Sequence, residues 1–307
     1  MQRRTAPHPG AAGSLYAVGC YSIWGVLPVY WKWLSALPAT TILAHRIVWS
    51  VVFSALLLTV ARRWRELRAV LSGRATLVPL LASSILIGGN WLVFIWAVNH
   101  ARVLETSLGY YLTPLANVAL GRALLNERLA PLQIAAVALA AAAVIQLIAG
   151  VTQVPWVALF LAATFALYGL VRKLAPVSPI PGLAVETLLL SPVALGYLVW
   201  LAARGSGAFP ADDPRTMALL LSSGAITATP LLLFAAAARR LSLSTLGFFQ
   251  YIGPSITLGI AVWSFGEPFT GRQAVTFGLI WAALALFSFA SVRLQGEARR
   301  RDARYQR

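Results

Sequence analysis

Charged residues are scarce in this chain, at 11% of 307 residues, whereas soluble domains carry about 25%. Hydrophobic residues make up 59% of the sequence, and the mean hydropathy is +0.75. So little charge cannot cover the surface of an ordinary soluble domain. The composition therefore excludes a typical soluble enzyme and predicts an integral membrane protein that contacts the lipid bilayer.

Cysteine and histidine are also nearly absent. The one cysteine, Cys20, excludes an internal disulfide and any multi-cysteine metal site. The patterns GxxxxGK(S/T), HExxH and GxSxG do not occur, which argues against ATP-driven transport by this chain alone and against an enzyme. An intramembrane enzyme would have to use Glu186 with His45. We expect no catalytic residue, no metal and no cofactor.

The charge that is present is mostly positive, with a formal net charge of +16. On a folded surface this charge would suggest nucleic acid. The apolar runs, however, confine Lys and Arg to short loops and the C-terminal tail, so we predict no nucleic-acid partner. Most of the 25 basic residues fall on one side of the membrane when the N-terminus is placed inside. We therefore predict a multi-pass protein of the cell (plasma) membrane with both termini cytoplasmic.

Apolar runs of about 20 residues, separated by Gly, Pro and charged residues, predict ten transmembrane helices. They are placed at residues 13–33, 39–61, 76–98, 103–122, 130–149, 154–172, 182–203, 216–238, 243–265 and 272–292. Residues 1–12 form a cytoplasmic N-terminal tail, and residues 293–307 form a basic cytoplasmic C-terminal tail. The predicted fold class is an all-α integral membrane protein.

A weak internal repeat divides this chain. A shift of 140 residues aligns Pro114–Gln133 with Pro254–Gln273, so that Pro114 matches Pro254 and Glu127 matches Glu267. A slip of two residues would also align SLGYY with TLGFF before the proline, which leaves the local register open.

The repeat predicts a first five-helix repeat at residues 13–149 and a second at 154–292. Five is an odd number, so the second half enters the membrane from the opposite side. Such inverted repeats are common in secondary transporters, with the substrate site between the halves.

Ionisable groups inside apolar spans are costly and often functional. The same shift places Arg46 and Glu186 at equivalent positions, where they could pair and act on a substrate or a coupling proton. A static salt bridge, or side chains that reach opposite membrane surfaces, would explain them as well. His45 is better explained by helix packing than by proton transfer.

Other polar residues also interrupt apolar runs. Asn90 and Trp91 follow two glycines in the third span and either pack helices or contact substrate. The stretch LGFFQYIGP places Gln250, Tyr251 and Pro254 inside the ninth span. A proline within a helix frees the carbonyl four residues earlier. At helical spacing each half then presents one stripe of polar or small residues. These two stripes predict either a cavity wall or kinked helices whose polar groups bond each other. The stripes are Tyr110, Pro114, Asn117 and Gly121 in the first half, and Gln250, Pro254, Thr257 and Ala261 in the second.

Several longer stretches closely resemble the EamA family of the drug/metabolite transporter superfamily. They include YSIWGVLPVYWK (Tyr21–Lys32), LIGGNWLVFIWAVN (Leu86–Asn99), LETSLGYYLTPLAN (Leu104–Asn117) and RLSLSTLGFFQYIGPS (Arg240–Ser255). The resemblance covers residues 13–292 and implies ten helices in two inverted five-helix repeats. It also implies a permease that exports a small metabolite or a drug such as an amphenicol.

Two functions therefore stay open. The first is a secondary transporter that exports a small-molecule substrate by alternating access, and the second is a non-transporting membrane scaffold or sensor. Short loops give a scaffold little surface for soluble partners, which favours the transporter. A homodimer remains open as a further partner.

Overall fold

The computed structural model describes residues 9–100, 102–149, 155–205, 213–265 and 270–305, and within these ranges the chain forms helices and no strands. The matched Glu267 lies outside them. The helices are α1 (Pro9–Trp33), α2 (Ala39–Val60), α3 (Trp64–Ser72), α4 (Arg74–Asn99), α5 (Val103–Leu125), α6 (Pro131–Ile148), α7 (Trp156–Leu174), α8 (Pro179–Ala203), α9 (Pro214–Ala238), α10 (Leu243–Gln250), α11 (Ile252–Phe265) and α12 (Gly271–Tyr305).

Nine segments in the described ranges are long and apolar enough to cross a membrane. The pair α10 and α11 counts as one of them, over Leu243–Ser264. The all-helical membrane class predicted from composition is therefore confirmed. The fourth predicted span, α5, is 23 residues long but carries Glu105 and Arg122 and does not count among the nine, so length and composition do not confirm ten spans.

The structure differs from the prediction at α3 and at the end of α12. The loop expected after the second span contains the short helix α3, in which Leu67 and Val70 are buried. These two residues are three positions apart and share one helix face, while arginines occupy the opposite face. The last helix, α12, continues past residue 292 through the basic segment to Tyr305.

The predicted ninth span is not one continuous helix. It breaks at Tyr251, whose amide donates to the Phe248 carbonyl at 3.3 Å in a tight turn. Pro254 then lies in the first turn of α11, where no backbone N–H is needed. The proline that marked this stretch in the sequence therefore accounts for the break.

The centre of the molecule is an aromatic cluster between α1, α7 and α9. Tyr168 stacks on Phe234 with ring centroids 5.6 Å apart, and Tyr21 meets the Phe234 edge at 6.5 Å. Cys20 lies in the same cluster and is fully buried. Around this centre, α2 packs on α8 and α9, α5 packs on α7 and α10, and α6 packs on α12.

The start of α9 is fixed by an exposed acidic cap. One Asp213 oxygen, Oδ1, accepts from the amides of Arg215 at 3.0 Å and Thr216 at 3.1 Å. Hydrogen bonds from Thr216 hold the pKa of Asp213 below its usual range. This cap satisfies N–H groups that a helix start otherwise leaves without partners.

Candidate functional site

Arg46 of α2 lies between two tryptophans at the junction with α9. Its guanidinium carbon is 4.6 Å from the Trp31 ring centroid and 5.2 Å from the Trp91 ring centroid. Its Nε donates to Thr227 Oγ1 at 3.0 Å. Attraction to the two ring faces offsets part of the cost of removing this cation from water. The structure thus brings the predicted residues Arg46 and Trp91 together.

A close crossing of α2 and α9 fixes the position of Arg46 within the helix bundle. A Cβ added at Gly224 of α9 would lie 2.2 Å from the backbone carbon of Trp49, so only glycine fits there. Ser50 donates to the Gly224 carbonyl at 3.2 Å. Small residues allow this approach of backbones inside a membrane. Arg46, one turn away from Ser50, is therefore carried by a tightly packed helix pair.

Two tyrosines extend the surroundings of Arg46, and both interact with it electrostatically. The hydroxyl of Tyr30 donates to the Leu219 carbonyl and lies 3.0 Å from Ser222 Oγ. Tyr110 of α5 is 49% exposed, and its ring centroid is 6.2 Å from that of Phe94. Arg46 thus interacts with one buried tyrosine, Tyr30, and one exposed tyrosine, Tyr110.

Glu186 belongs to a different cluster. Its Oε1 is 3.6 Å from Arg172 Nε and accepts from Ser83 Oγ at 2.5 Å, and its Oε2 is 3.4 Å from the Tyr168 hydroxyl. Both members of the ion pair are almost fully buried. The hypothesis that Glu186 pairs with Arg46 is therefore wrong for this conformation.

Arg172 is the partner that sequence reasoning missed. Its position next to Lys173 in the last turn of α7 makes it resemble a charge of the following loop. Its side chain instead points into the bundle, where a Cβ at Gly182 would meet Nη1 at 2.3 Å. Arg172 Nε and Nη1 have no hydrogen-bond partner. Gly182, four residues before the membrane-embedded Glu186, was the available signal, since the guanidinium needs that space.

Asn90 holds two helices together. Its Nδ2 donates to the Leu161 carbonyl at 3.0 Å and to Thr164 Oγ1 at 2.8 Å, joining α4 to α7. This arrangement favours the packing alternative over substrate contact. An amide in an apolar bundle needs such partners because leaving them unmet costs free energy.

The two polar stripes are mostly buried against protein. Asn117 and Gln250 are 1% and 5% exposed, and Asn117 Oδ1 and Gln250 Oε1 have no hydrogen-bond partner. The Tyr251 hydroxyl donates to the Tyr111 carbonyl at 3.3 Å across the α5–α10 contact. Pro114 is also buried, inside α5. Pro114, Asn117 and Gln250 are therefore packed against protein, whereas Tyr110 is exposed. Pro254, Thr257 and Ala261 are partly exposed.

Glu127 closes one end of the α5–α10 contact. Its Oε1 accepts from the Leu243 amide at 2.6 Å, and its Oε2 accepts from the amide and hydroxyl of Ser244 at 3.0 and 2.7 Å. A carboxylate is favoured at a helix N-terminus because the helix dipole is positive there. The sequence had matched Glu127 with Glu267 but gave it no role.

Glu105 forms a comparable contact at the other end of α5. Its Oε1 is 2.6 Å from Arg102 Nε, and its Oε2 accepts from the Val157 amide at 3.2 Å, at the start of α7. Arg102 also lies 5.3 Å from the Trp156 ring centroid. Glu105 thus joins α5 to the start of α7. No group of three or more His, Cys, Asp or Glu in the described ranges is arranged to hold a metal ion.

A solved crystal structure has the same overall fold. It superimposes with a TM-score of 0.72 at 18% identity, covering 91% of this chain and 98% of that one. At that identity the likeness concerns the fold alone.

Sequence comparison gives closer relatives. The EamA-like transporter family matches residues 11–149. An uncharacterized transporter of Vibrio cholerae is 47% identical over 94% of this chain and 95% of its own length. Protein RarD of Escherichia coli is 43% identical over 92% and 96%, and the chloramphenicol-sensitive protein RarD of Pseudomonas aeruginosa is 36% identical over 94% and 97%. The chain belongs to the EamA-like transporter family, in its RarD group, and is a multi-pass membrane transporter of the drug/metabolite kind.

Proposed function

We propose that this protein is a secondary transporter that exports a small metabolite, or a drug such as an amphenicol, by alternating access between residues 13–149 and 154–292. The observation that carries the proposal is the position of Arg46. It lies on α2 of the first half, bonds Thr227 on α9 of the second half, and adjoins the half-exposed Tyr110. Under this proposal the charged group contacts solute at the junction, and its hydrogen bond across the junction changes when one half moves against the other.

The regular spacing of the helices supports two matching halves. Four pairs begin 140 residues apart: α2 and α8 at 39 and 179, α4 and α9 at 74 and 214, α5 and α10 at 103 and 243, and α6 and α12 at 131 and 271. Tyr111 and Tyr251, which are in contact, have the same separation. Under this proposal the paired α10 and α11 correspond to α5.

That correspondence supports α5 as the tenth span. Its 23 residues rise roughly 35 Å, enough to cross a hydrocarbon core of about 30 Å. Its polar side chains face α7 and α10 more than lipid, which explains its low hydropathy. Five spans in each half would invert the second half relative to the first and, with the Lys/Arg distribution, place both termini in the cytoplasm of a plasma-membrane protein.

Glu186 is proposed as the coupling residue. It is buried, yet Ser83 and Arg172 hold its carboxylate in a defined position. Binding of a proton to that carboxylate would remove the attraction to Arg172, because the carboxyl group would become neutral. Ser83 lies on α4 and Arg172 on α7, so the change would reach both halves.

The amphenicol proposal draws on the relative from Pseudomonas aeruginosa, whose name includes chloramphenicol sensitivity. It is tested with purified protein in proteoliposomes, by counterflow of labelled chloramphenicol, amino acids and carboxylic acids, with internal pH recorded for each solute that moves. Arg46→Ala and Glu186→Ala should each abolish transport. The control, Arg65→Ala, changes an exposed arginine of α3 and should keep the wild-type rate.

Each variant should elute as a single species, which shows that it is folded. Glu186→Ala should melt at a lower temperature than the wild type, because it leaves Arg172 buried without its carboxylate. Wild-type rates in both Arg46→Ala and Glu186→Ala would refute the site assignment. A wild-type protein that moves none of these solutes would refute the transport proposal for these classes.

A further inference from the structure

The positive charge of Arg46 has no acidic partner among the side chains that the structure describes. The five acids whose side chains are described are each engaged elsewhere. Glu66 contacts Arg63 and Ser178, Glu105 pairs with Arg102, Glu127 caps α10, Glu186 pairs with Arg172, and Asp213 caps α9. The hydrogen-bond partner of Arg46 among the described residues, Thr227, is a neutral hydroxyl.

An arginine held this way has donors to spare. A guanidinium carries five N–H donors in a planar fork, and the bond to Thr227 uses Nε. The ring centroids of Trp31 and Trp91 lie 4.6 and 5.2 Å from the guanidinium carbon, and an indole offers no acceptor to the remaining N–H groups. The N–H edge of a guanidinium matches the two oxygens of a carboxylate, which arginine binds with two parallel bonds.

We propose that Arg46 binds the carboxylate of a small aromatic organic anion, which is the transported substrate. This inference rests on the proposed function, because it names the substrate class of the same site. The anion supplies the counter-charge that the described residues lack, and it places its carboxylate on the exposed edge of the Arg46 guanidinium.

The aromatic part of the substrate is assigned to Tyr110 and Phe94. Tyr110 is 49% exposed beside Arg46, and Phe94, half-buried, has its ring centroid 6.2 Å from that of Tyr110. Ring pairs at such distances gain from tilted or offset packing, so a planar group fits this surface well. The proposed substrate would place its carboxylate on Arg46 and its ring on Tyr110.

The charge balance separates this class from two others. A zwitterionic amino acid brings an ammonium group, and no described acid near Arg46 is available to receive it. A neutral drug such as chloramphenicol leaves the guanidinium without a counter-ion. Both should therefore bind more weakly than an anion of similar size.

The chain offers a matched control in Arg102. It too lies beside two tryptophans, 5.9 Å from the Trp96 ring centroid and 5.3 Å from that of Trp156. Unlike Arg46, it is paired with a carboxylate, at 2.6 Å from Glu105. Arg102 therefore has tryptophan neighbours like those of Arg46, but its charge is already balanced by Glu105. We expect Arg102 to have no affinity for an added anion.

The test measures binding of benzoate and its neutral isostere benzamide to the full-length protein in detergent, by microscale thermophoresis. Wild-type protein should bind benzoate at least about tenfold more tightly than benzamide. Arg46→Gln should weaken benzoate binding at least about 30-fold, since truncating one partner of a buried charged pair costs that much or more. Arg46→Lys should fall between, because it keeps the charge and loses the fork.

Arg102→Gln should retain the wild-type preference. Equal affinity for benzamide and benzoate, an unchanged preference in Arg46→Gln, or no binding of benzoate at all would each overturn the proposal. The benzoate–benzamide comparison on wild-type protein decides the matter even if Arg46→Gln fails to fold.

The binding test and the transport test can each fail without the other. Benzoate preference without flux in proteoliposomes would refute the transport proposal and keep this assignment. Flux of chloramphenicol with no benzoate binding would keep the transport proposal and refute the anion.

Discussion

Replacing Glu127 should loosen the start of α10 and with it one end of the α5–α10 contact. The wild-type carboxylate accepts three hydrogen bonds, from the amides of Leu243 and Ser244 and the hydroxyl of Ser244, at 2.6, 3.0 and 2.7 Å. Hydrogen bonds to charged groups contribute about 1.5–3 kcal/mol each. Glu127 is half-buried, so water can replace part of this in the variant.

We therefore expect Glu127→Ala to lower the free energy of local opening by about 3 kcal/mol, or about 100-fold in the opening equilibrium. Hydrogen–deuterium exchange of peptides covering the start of α10 measures this directly, because protected amides exchange through local opening. Glu127→Gln should give a smaller increase, since it keeps an acceptor oxygen and loses the charge.

The control is Glu66→Ala. Glu66 also accepts from a serine hydroxyl, that of Ser178 at 2.7 Å, but on the exposed side of α3. It should leave exchange in α10 unchanged. Wild-type exchange at Leu243 and Ser244 in Glu127→Ala would show that the carboxylate does not hold this end closed.

Two further predictions concern packing. Gly182→Leu should displace the Arg172 guanidinium, because the guanidinium lies where the new side chain would begin. The melting temperature should fall by several degrees in a detergent thermal-shift assay. An unchanged melting temperature would mean that Arg172 does not occupy that space. Asn90→Ala should lower the free energy of unfolding by about 1–3 kcal/mol, because two hydrogen bonds to α7 are lost. Urea unfolding measures this change, and the control Ser72→Ala, at an exposed position, should change it little. A loss of substrate binding without a loss of stability would assign Asn90 to the substrate instead.

The helices themselves were largely predictable, because apolar length and helix-breaking residues are local properties. The start of the second predicted span at residue 39 agrees with α2. The combination of Tyr251 and Pro254 pointed to a disturbed helix, and the structure breaks there. The short helix α3 was missed because its apolar residues are few and its arginines resemble a loop.

The partners of charged side chains were not predictable in the same way. Arg172 and Lys173 are neighbours in sequence at the end of a helix, yet Arg172 turns inward to Glu186 while Lys173 donates to the carbonyls of Ala238 and Leu241. Hydropathy gives the depth of a residue along its helix and not the direction of its side chain. The alternative in which Arg46 pairs with Glu186 is not the one that the structure adopts, since the alignment matches positions and ignores rotation about each helix axis.

The complete burial of Cys20 has a practical consequence for measuring motion in this protein. Its thiol lies among Tyr21, Phe234 and their neighbours in the central aromatic cluster, at 0% exposure. Water-soluble maleimides and nitroxide reagents cannot reach such a group while the bundle stays folded. A cysteine introduced on an exposed surface would thus be the reactive one in the native background. Distances between two such labels would report the relative movement of helices without any change to the core.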